Sequence, residues 1–486
     1  MAVALFTSRV VLNTLGVEDY GVYNVVGGVV AMFGFINAAM SSATSRYITF
    51  ALGRGDEGEL RKVFCTSVNI HVGIALIILL LAETVGLWYM NCKMVIPPGR
   101  EAAAMWVYQL SVVSTMMMIV SVPYNSCIIA HERMSAFAYM SILDVVLKLL
   151  VVYLLVVSPM DKLVFYSTLI LIVQFIDWFI YIRYCVSKFS EAHYHFVWDK
   201  SLTREMTSFA GWSFFGSFAV ICCNQGVNLL LNLFFGPTVN AARGIAASVQ
   251  TAINNFSFNF QTAMNPQIIK TYANGEIEGH RKLLFTACKL SALLLTILSL
   301  PILLNTETIL QLWLGTVPNH TVSFTQIILL LAIWDSMAYP LATSVQATGK
   351  IKKYQIVISF VIFLILPVSY FVLYINKTPE YALLVHFLFA IVAQFVRLYF
   401  LRFFIKLDIV AFCCQIFLPI IICLTIVLMV VNYTLTTLET GLLKLLCSSL
   451  YSIFLSSVLA YVIVLNKAER NFLKHILLKF ITRSNK

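Results

Sequence analysis

Gly16 and Gly236 open the same pattern twice, 220 residues apart (236 − 16), and no other feature constrains the fold as tightly. At that offset Gly55 matches Gly275, Arg61-Lys62 matches Arg281-Lys282, Thr66 matches Thr286, and Asp56 meets the like-charged Glu276. Each copy reads as a helix end at glycine, a long helix, a polar Gly-acidic loop, then Arg-Lys opening the next helix. A second echo, at a slightly different offset, pairs Pro123 with Pro340 and Ala130 with Ala347. Two like halves of this kind are the architecture of secondary transporters, whose sites sit between the repeats.

The halves belong in a membrane. The 486 residues are 60% hydrophobic and only 11% charged, with mean hydropathy +0.88. Soluble domains carry about 25% charge. Apolar runs predict helices over 1–15, 21–46, 63–90, 102–130, 135–157, 162–187, 207–235, 238–268, 283–304, 323–347, 352–375, 380–405, 409–432 and 440–466. Most exceed the ~20 residues that span a bilayer. The fold class is therefore an all-α integral membrane protein of about fourteen transmembrane helices. Two six-helix lobes, 1–190 and 205–406, are related by the repeat. Two extra helices follow over 407–466, then a basic amphipathic tail over 467–486.

Net charge is +11, yet it sorts by side. With the N-terminus inside, the inner connections hold Arg54, Arg61, Lys62, Arg133, Lys188, Arg281, Lys282, Lys350, Lys352 and Lys353, while the outer ones hold few basic residues. The positive-inside rule then puts both termini in the cytoplasm, and the charge implies no nucleic acid. Residues 1–15 make a short first helix, so it is tilted or the natural start lies upstream of Met1. None of the 11 cysteines forms a C-x-x-C pair, and His193-x-His195 lies in the charged linker 188–206, so no metal is expected.

The sharpest local pattern runs through the eighth helix. Asn240, Arg243, Ala247, Gln250, Asn254, Ser257, Gln261 and Asn265 recur at steps of three and four, on one face. Such a stripe cannot face lipid. It lines a hydrated cleft or bonds a neighbouring helix. Ser213, Ser217, Asn224, Asn228 and Asn232 make a compatible face on the seventh helix. Shifted back by 220, Ala247, Asn254, Gln261 and Asn265 of the eighth helix fall on Gly27, Gly34, Ser41 and Ser45, so the polar contacts are expected mainly in the second lobe. Arg9, Lys148 and Arg243 are cations deep in helices, suited to an anion such as phosphate. Lys148 also has Asp144 one turn away. Asp177, Asp335 and Glu83 are the acidic counterparts, able to bind a coupling ion (Na+ or H+) or to pair with bases. Pro123 and Pro340 would kink equivalent helices and act as hinges. There is no P-loop and no H-E-x-x-H, and no cofactor or catalytic residue is expected.

The segment Leu15–Gly28, which contains Asn24, resembles the first loop and second helix of bacterial polysaccharide flippases. So do Phe235-Gly236-Pro237 followed by Asn240–Ala246, and Ala347-Thr348-Gly349-Lys350 with Tyr354. These flippases belong to the multidrug/oligosaccharidyl-lipid/polysaccharide exporter superfamily. The resemblance implies export of an undecaprenyl-pyrophosphate-linked oligosaccharide across the bacterial inner membrane, for O-antigen, capsule or exopolysaccharide, by alternating access. It implies that Arg9, Arg46 and Arg243 line the cavity, with Asn24 among the substrate contacts. Membrane lipids, a glycan polymerase and glycosyltransferases are the implied partners. The rivals are a cation-coupled MATE-type drug exporter, which favours acidic cavity residues, and a membrane-embedded glycan polymerase or ligase, which would carry a large outer loop.

Overall fold

A computed structural model describes residues 34–92, 98–158, 161–434, 441–466 and 469–471, with isolated positions before 34 and at 96. Arg9 and Asn24 lie outside the described residues, as does most of the basic tail. Helices account for nearly all of the rest. They are α1 (Gly34–Arg54), α2 (Glu57–Cys92), α3 (Glu101–Ala130), α4 (Met134–Val157), α5 (Lys162–Lys188), α6 (Lys200–Phe235) and α7 (Pro237–Ala273). Then come α8 (Ile277–Leu304), α9 (Thr306–Leu314), α10 (Thr321–Ala347), α11 (Ile351–Asn376), α12 (Glu380–Ile405), α13 (Ile409–Thr434) and α14 (Leu442–Leu459).

Among the described residues, 11 spans are long and apolar enough to cross a membrane. α7 lies where expected and α1 runs eight residues past its expected end at 46; both are too polar to be among them, and α7 carries the amide stripe. The all-helical, many-spanning class is as expected, with local differences. α2 starts at Glu57, six residues early, because Asp56 caps it by accepting from the Glu59 amide at 2.9 Å. α6 starts at Lys200, which shortens the linker. The connection expected over 305–322 instead holds α9, whose Thr306 and Leu310 are buried. α2 and α13 contain π turns, Ala82–Gly86 and Cys413–Phe417, and a third, Ala460–Val464, follows α14.

The repeat is visible in the backbone. Gly16 and Gly236 have φ of 83° and 80°, and Gly55 and Gly275 have 73° and 77°. These are left-handed conformations that glycine alone enters without cost, so matched glycines end matched helices. The second echo continues to Glu132 (φ 58°) and Gly349 (φ 74°), 217 apart (349 − 132).

The chain divides into two compact units, Met1–Ser217 and Phe218–Lys486. The first packs Val107, Tyr108, Leu155 and Leu163 into its core. Tyr108 fills the space beside Gly86 and donates to the Ala82 carbonyl at 2.7 Å, beside the π turn of α2. Arg100, just before α3, pairs with Asp19 and with Asp161, which caps α5. The second unit packs Val227, Leu231, Phe324, Leu373 and Leu383. It also buries a cation, Lys289 of α8, whose Nζ donates to both Glu469 carboxylate oxygens at 3.2 and 3.0 Å. Glu469 is fixed by Asn466, their backbone amides and side chains bonding reciprocally at 2.8 and 2.9 Å.

Candidate functional site

The stripe on α7 turns inward within the second unit. Arg243, Ser257 and Gln261 are buried, and Asn240, Ala247, Gln250, Asn254 and Asn265 are half-buried; Thr251, Asn255 and Phe258, off the stripe, are exposed. Spacing thus places the polar face correctly. Its two halves do different things.

The later half is occupied by helix packing. Pro340 has no N–H, so the Ser336 carbonyl four residues earlier lacks its regular α-helical donor. Gln261 Nε2 fills that vacancy, donating to Ser336 O at 3.1 Å and to Ser257 Oγ at 2.8 Å. Thr343 Oγ1 donates to Asn265 Oδ1 at 3.1 Å. α10 breaks at Met337, between its segments Thr321–Ser336 and Ala338–Ala347. α3 runs unbroken through Pro123. The two prolines therefore sit in unlike surroundings: one in a continuous helix, one just after a break closed by a glutamine.

The earlier half keeps free capacity. A cavity of about 190 Å³ lies between α7, α8 and α10, lined by Thr251, Asn254, Asn255, Ser257, Phe258, Gln261, Ser336 and Tyr339. Its polar groups are amides and hydroxyls, with no charge. Nearer the start of α7, about two turns before Gln250, Arg243 is 7% exposed. Its Nη1 donates to the Asn224 carbonyl at 3.2 Å, and Cys223 and His386 lie near it. Among the described residues no carboxylate pairs with it. It is a buried guanidinium with no counter-ion among the described residues.

The other expected residues are placed less suggestively. Asn228 Nδ2 donates to Gln225 at 3.2 Å on α6. Gln250 is half-buried on the stripe, outside the cavity wall. Lys148 pairs with Asp144 at 2.8 Å, and Asp177 lies against both. Arg46 is buried in the first unit with its guanidinium over Tyr47, Phe50 and Phe209, at 4.4, 4.8 and 5.5 Å from the ring centres. Asp335 has Arg397 and Tyr339 beside it, and Glu83 accepts from Gln109 at 3.3 Å. Sequence reasoning missed Tyr339 and Asn255 in the cavity and His386 near Arg243. It also missed Lys289, a fourth buried cation, visible as the lone charge in the apolar run 283–304.

No family model and no curated protein matches the chain. Solved structures do. A mutant MATE transporter superposes with TM-score 0.71 at 13% identity, over 84% of this chain and 93% of that one. An outward-facing multidrug resistance MATE family transporter of the MOP superfamily gives 0.68 at 13%, over 84% and 93%. A MOP superfamily transporter from Pyrococcus furiosus, described as having a binding pocket of reverse polarity that suggests a different function, gives 0.68 at 13%, over 85% and 93%. The chain therefore has the MATE-like fold of MOP superfamily transporters.

Proposed function

We propose that this protein is a secondary transporter that flips a lipid-linked oligosaccharide across the bacterial inner membrane, as the polysaccharide flippases it resembles do. The observation that carries the reading is Arg243, a buried guanidinium with no carboxylate partner among the described residues. A buried cation without a counter-ion attracts an anion, and arginine grips phosphate oxygens in pairs. Asn254, Thr251 and Tyr339 around the neighbouring cavity offer amides and hydroxyls, the groups that bond sugar hydroxyls. That cavity, about 190 Å³, is smaller than the ~300–1,000 Å³ of ordinary ligand sites, so it would take one sugar ring rather than a chain.

The second reading is cation-coupled drug export, which the names of the structural neighbours favour. Asp335 beside Tyr339 would be its carboxylate. One experiment separates the two: deletion of the gene in its own host. Flipping predicts loss of surface glycan, accumulation of lipid-linked oligosaccharide, rescue by the wild-type gene and failure of rescue by Arg243→Ala at equal protein level. Normal glycan with new sensitivity to cationic dyes would overturn flipping and support drug export.

A further inference from the structure

A separate group of chemistry-bearing side chains lies in the first unit, where α3 ends and the linker after α5 begins. α3 stops at Ala130, and the chain turns through His131 and Glu132. The turn Ser190–Ala192 returns Glu191 against that helix end. Glu191 Oε1 accepts from His131 Nε2 at 2.5 Å and from Cys127 Sγ at 3.5 Å. The donor atoms of Cys127, His131 and Glu191 lie within 4.8 Å of one another, with Cys127 and Glu191 buried. Phe189 stacks on the imidazole, ring centres 4.1 Å apart and planes 11° apart, which fixes the ring's orientation.

The second half of the repeat carries other side chains at these positions. At the offset of the second echo, 217, Cys127 and His131 correspond to Ser344 and Thr348. Beside them, Glu132 holds a left-handed φ of 58° where the second half uses Gly349. That conformation is strained for a residue other than glycine, and the chain bears it one residue from His131.

We propose that Cys127, His131 and Glu191 form a binding site for a zinc-class transition-metal dication, with water in the fourth position. Thiolate, imidazole and carboxylate are the donors such ions take, and three protein ligands with one open position is a common zinc arrangement. Ligands about 2.1 Å from a tetrahedral zinc sit about 3.4 Å apart. The Cys127–Glu191 separation of 3.5 Å already fits, and His131 and Glu191 must part by about 1 Å. Binding displaces the Cys127 thiol proton and, where His131 starts as an imidazolium, the proton it shares with Glu191. Two protons then leave as two positive charges arrive, and the net charge of the group is unchanged; from a neutral His131 the ring proton moves to Nδ1 and only the thiol proton leaves. A cavity of about 250 Å³, lined by His131, Glu191, Glu57, Arg133 and Lys188 among others, gives the ion and its water a way in. Its two bases oppose a cation and Glu57 offsets one of them. The bound ion would tie the end of α3 to the linker.

The test is cobalt titration of the full-length, tag-free, metal-stripped protein in detergent. One equivalent should give a thiolate-to-cobalt absorption band that zinc abolishes. Cys127→Ser should remove the band, and His131→Gln or Glu191→Gln should weaken binding by at least about tenfold. No band, or a band that survives Cys127→Ser, overturns the site. Alkylation of the wild-type protein, read by mass spectrometry, needs no variant. Zinc should protect Cys127 more than Cys222 or Cys413, and equal protection overturns the site.

Discussion

Gln261 and Pro340 should behave as one unit. Replacing Gln261 with methionine keeps the side-chain volume but removes the donor to Ser336 O. That carbonyl is then buried without a partner, because Pro340 cannot supply an N–H. A buried unsatisfied group costs about 1–3 kcal/mol. Side-chain hydrogen bonds in membrane proteins average nearer ~0.6 kcal/mol, because the unfolded chain also finds partners. We therefore expect a loss of about 1–2 kcal/mol. Pro340→Ala supplies the missing N–H and lets the helix satisfy Ser336 itself. In that background Gln261→Met should cost at most about half as much, a coupling of roughly 0.5–1 kcal/mol. The assay is reversible unfolding in mixed detergent followed by tryptophan fluorescence, for the wild type, both single variants and the double variant. Equal costs in the two backgrounds would show that Gln261 does not serve the carbonyl that the proline orphans.

Three further outcomes follow from the same geometry. Glu469→Ala leaves Lys289 buried and unpaired and should cost about 3–5 kcal/mol, whereas Lys289→Met with Glu469→Leu should recover most of it in the same unfolding assay. Gly86→Ala should destabilise by about 1–3 kcal/mol, because its methyl group would displace the buried Tyr108 hydroxyl from the Ala82 carbonyl; Gly86→Ala with Tyr108→Phe should then cost less than the sum of the two. The carboxyl of Asp161 resists burial's upward push: the Val164 and Leu163 amides and the Arg100 guanidinium hold it below its ordinary value. Its contribution should be full above about pH 4 and lost as pH falls through the lowered value. Asp161→Asn should flatten that acid slope and cost about 1 kcal/mol or less at neutral pH, since the group is partly exposed.

Much of the fold can be read in the residues, because membrane helices announce themselves by length and apolarity. The repeat glycines could also be read, since a left-handed helix end needs them: Gly55 and Gly275 share a conformation as well as a spacing. Tertiary partners could not be read. The stripe on α7 was visible from its steps of three and four. That Gln261 meets a carbonyl freed by a proline 79 positions later (340 − 261) was not. Arg46 looked like a cavity or topology charge, and its aromatic neighbour Phe209 is far away in sequence. The same holds for Cys127, His131 and Glu191. Their residue types are unremarkable in an apolar helix end and a charged linker, and Glu191 pairs down to hold its carboxyl low only because His131 and Cys127 reach it. Burial pushes that carboxyl up, and hydrogen bonds from His131, its own backbone amide and Cys127 outweigh the push.

The pairing of Lys289 with Glu469 has a consequence for the order in which the protein is made. The two residues are 180 positions apart, and the acid is the later one. At ~5–20 residues per second, α8 leaves the ribosome roughly 10–40 s before its counter-ion exists. During that interval a lone ammonium on a spanning helix carries an insertion cost of about 2.5–3.5 kcal/mol. α8 therefore gains this counter-ion only once Glu469 has been synthesised, and a nascent protein cut short at 466 would leave Lys289 without it.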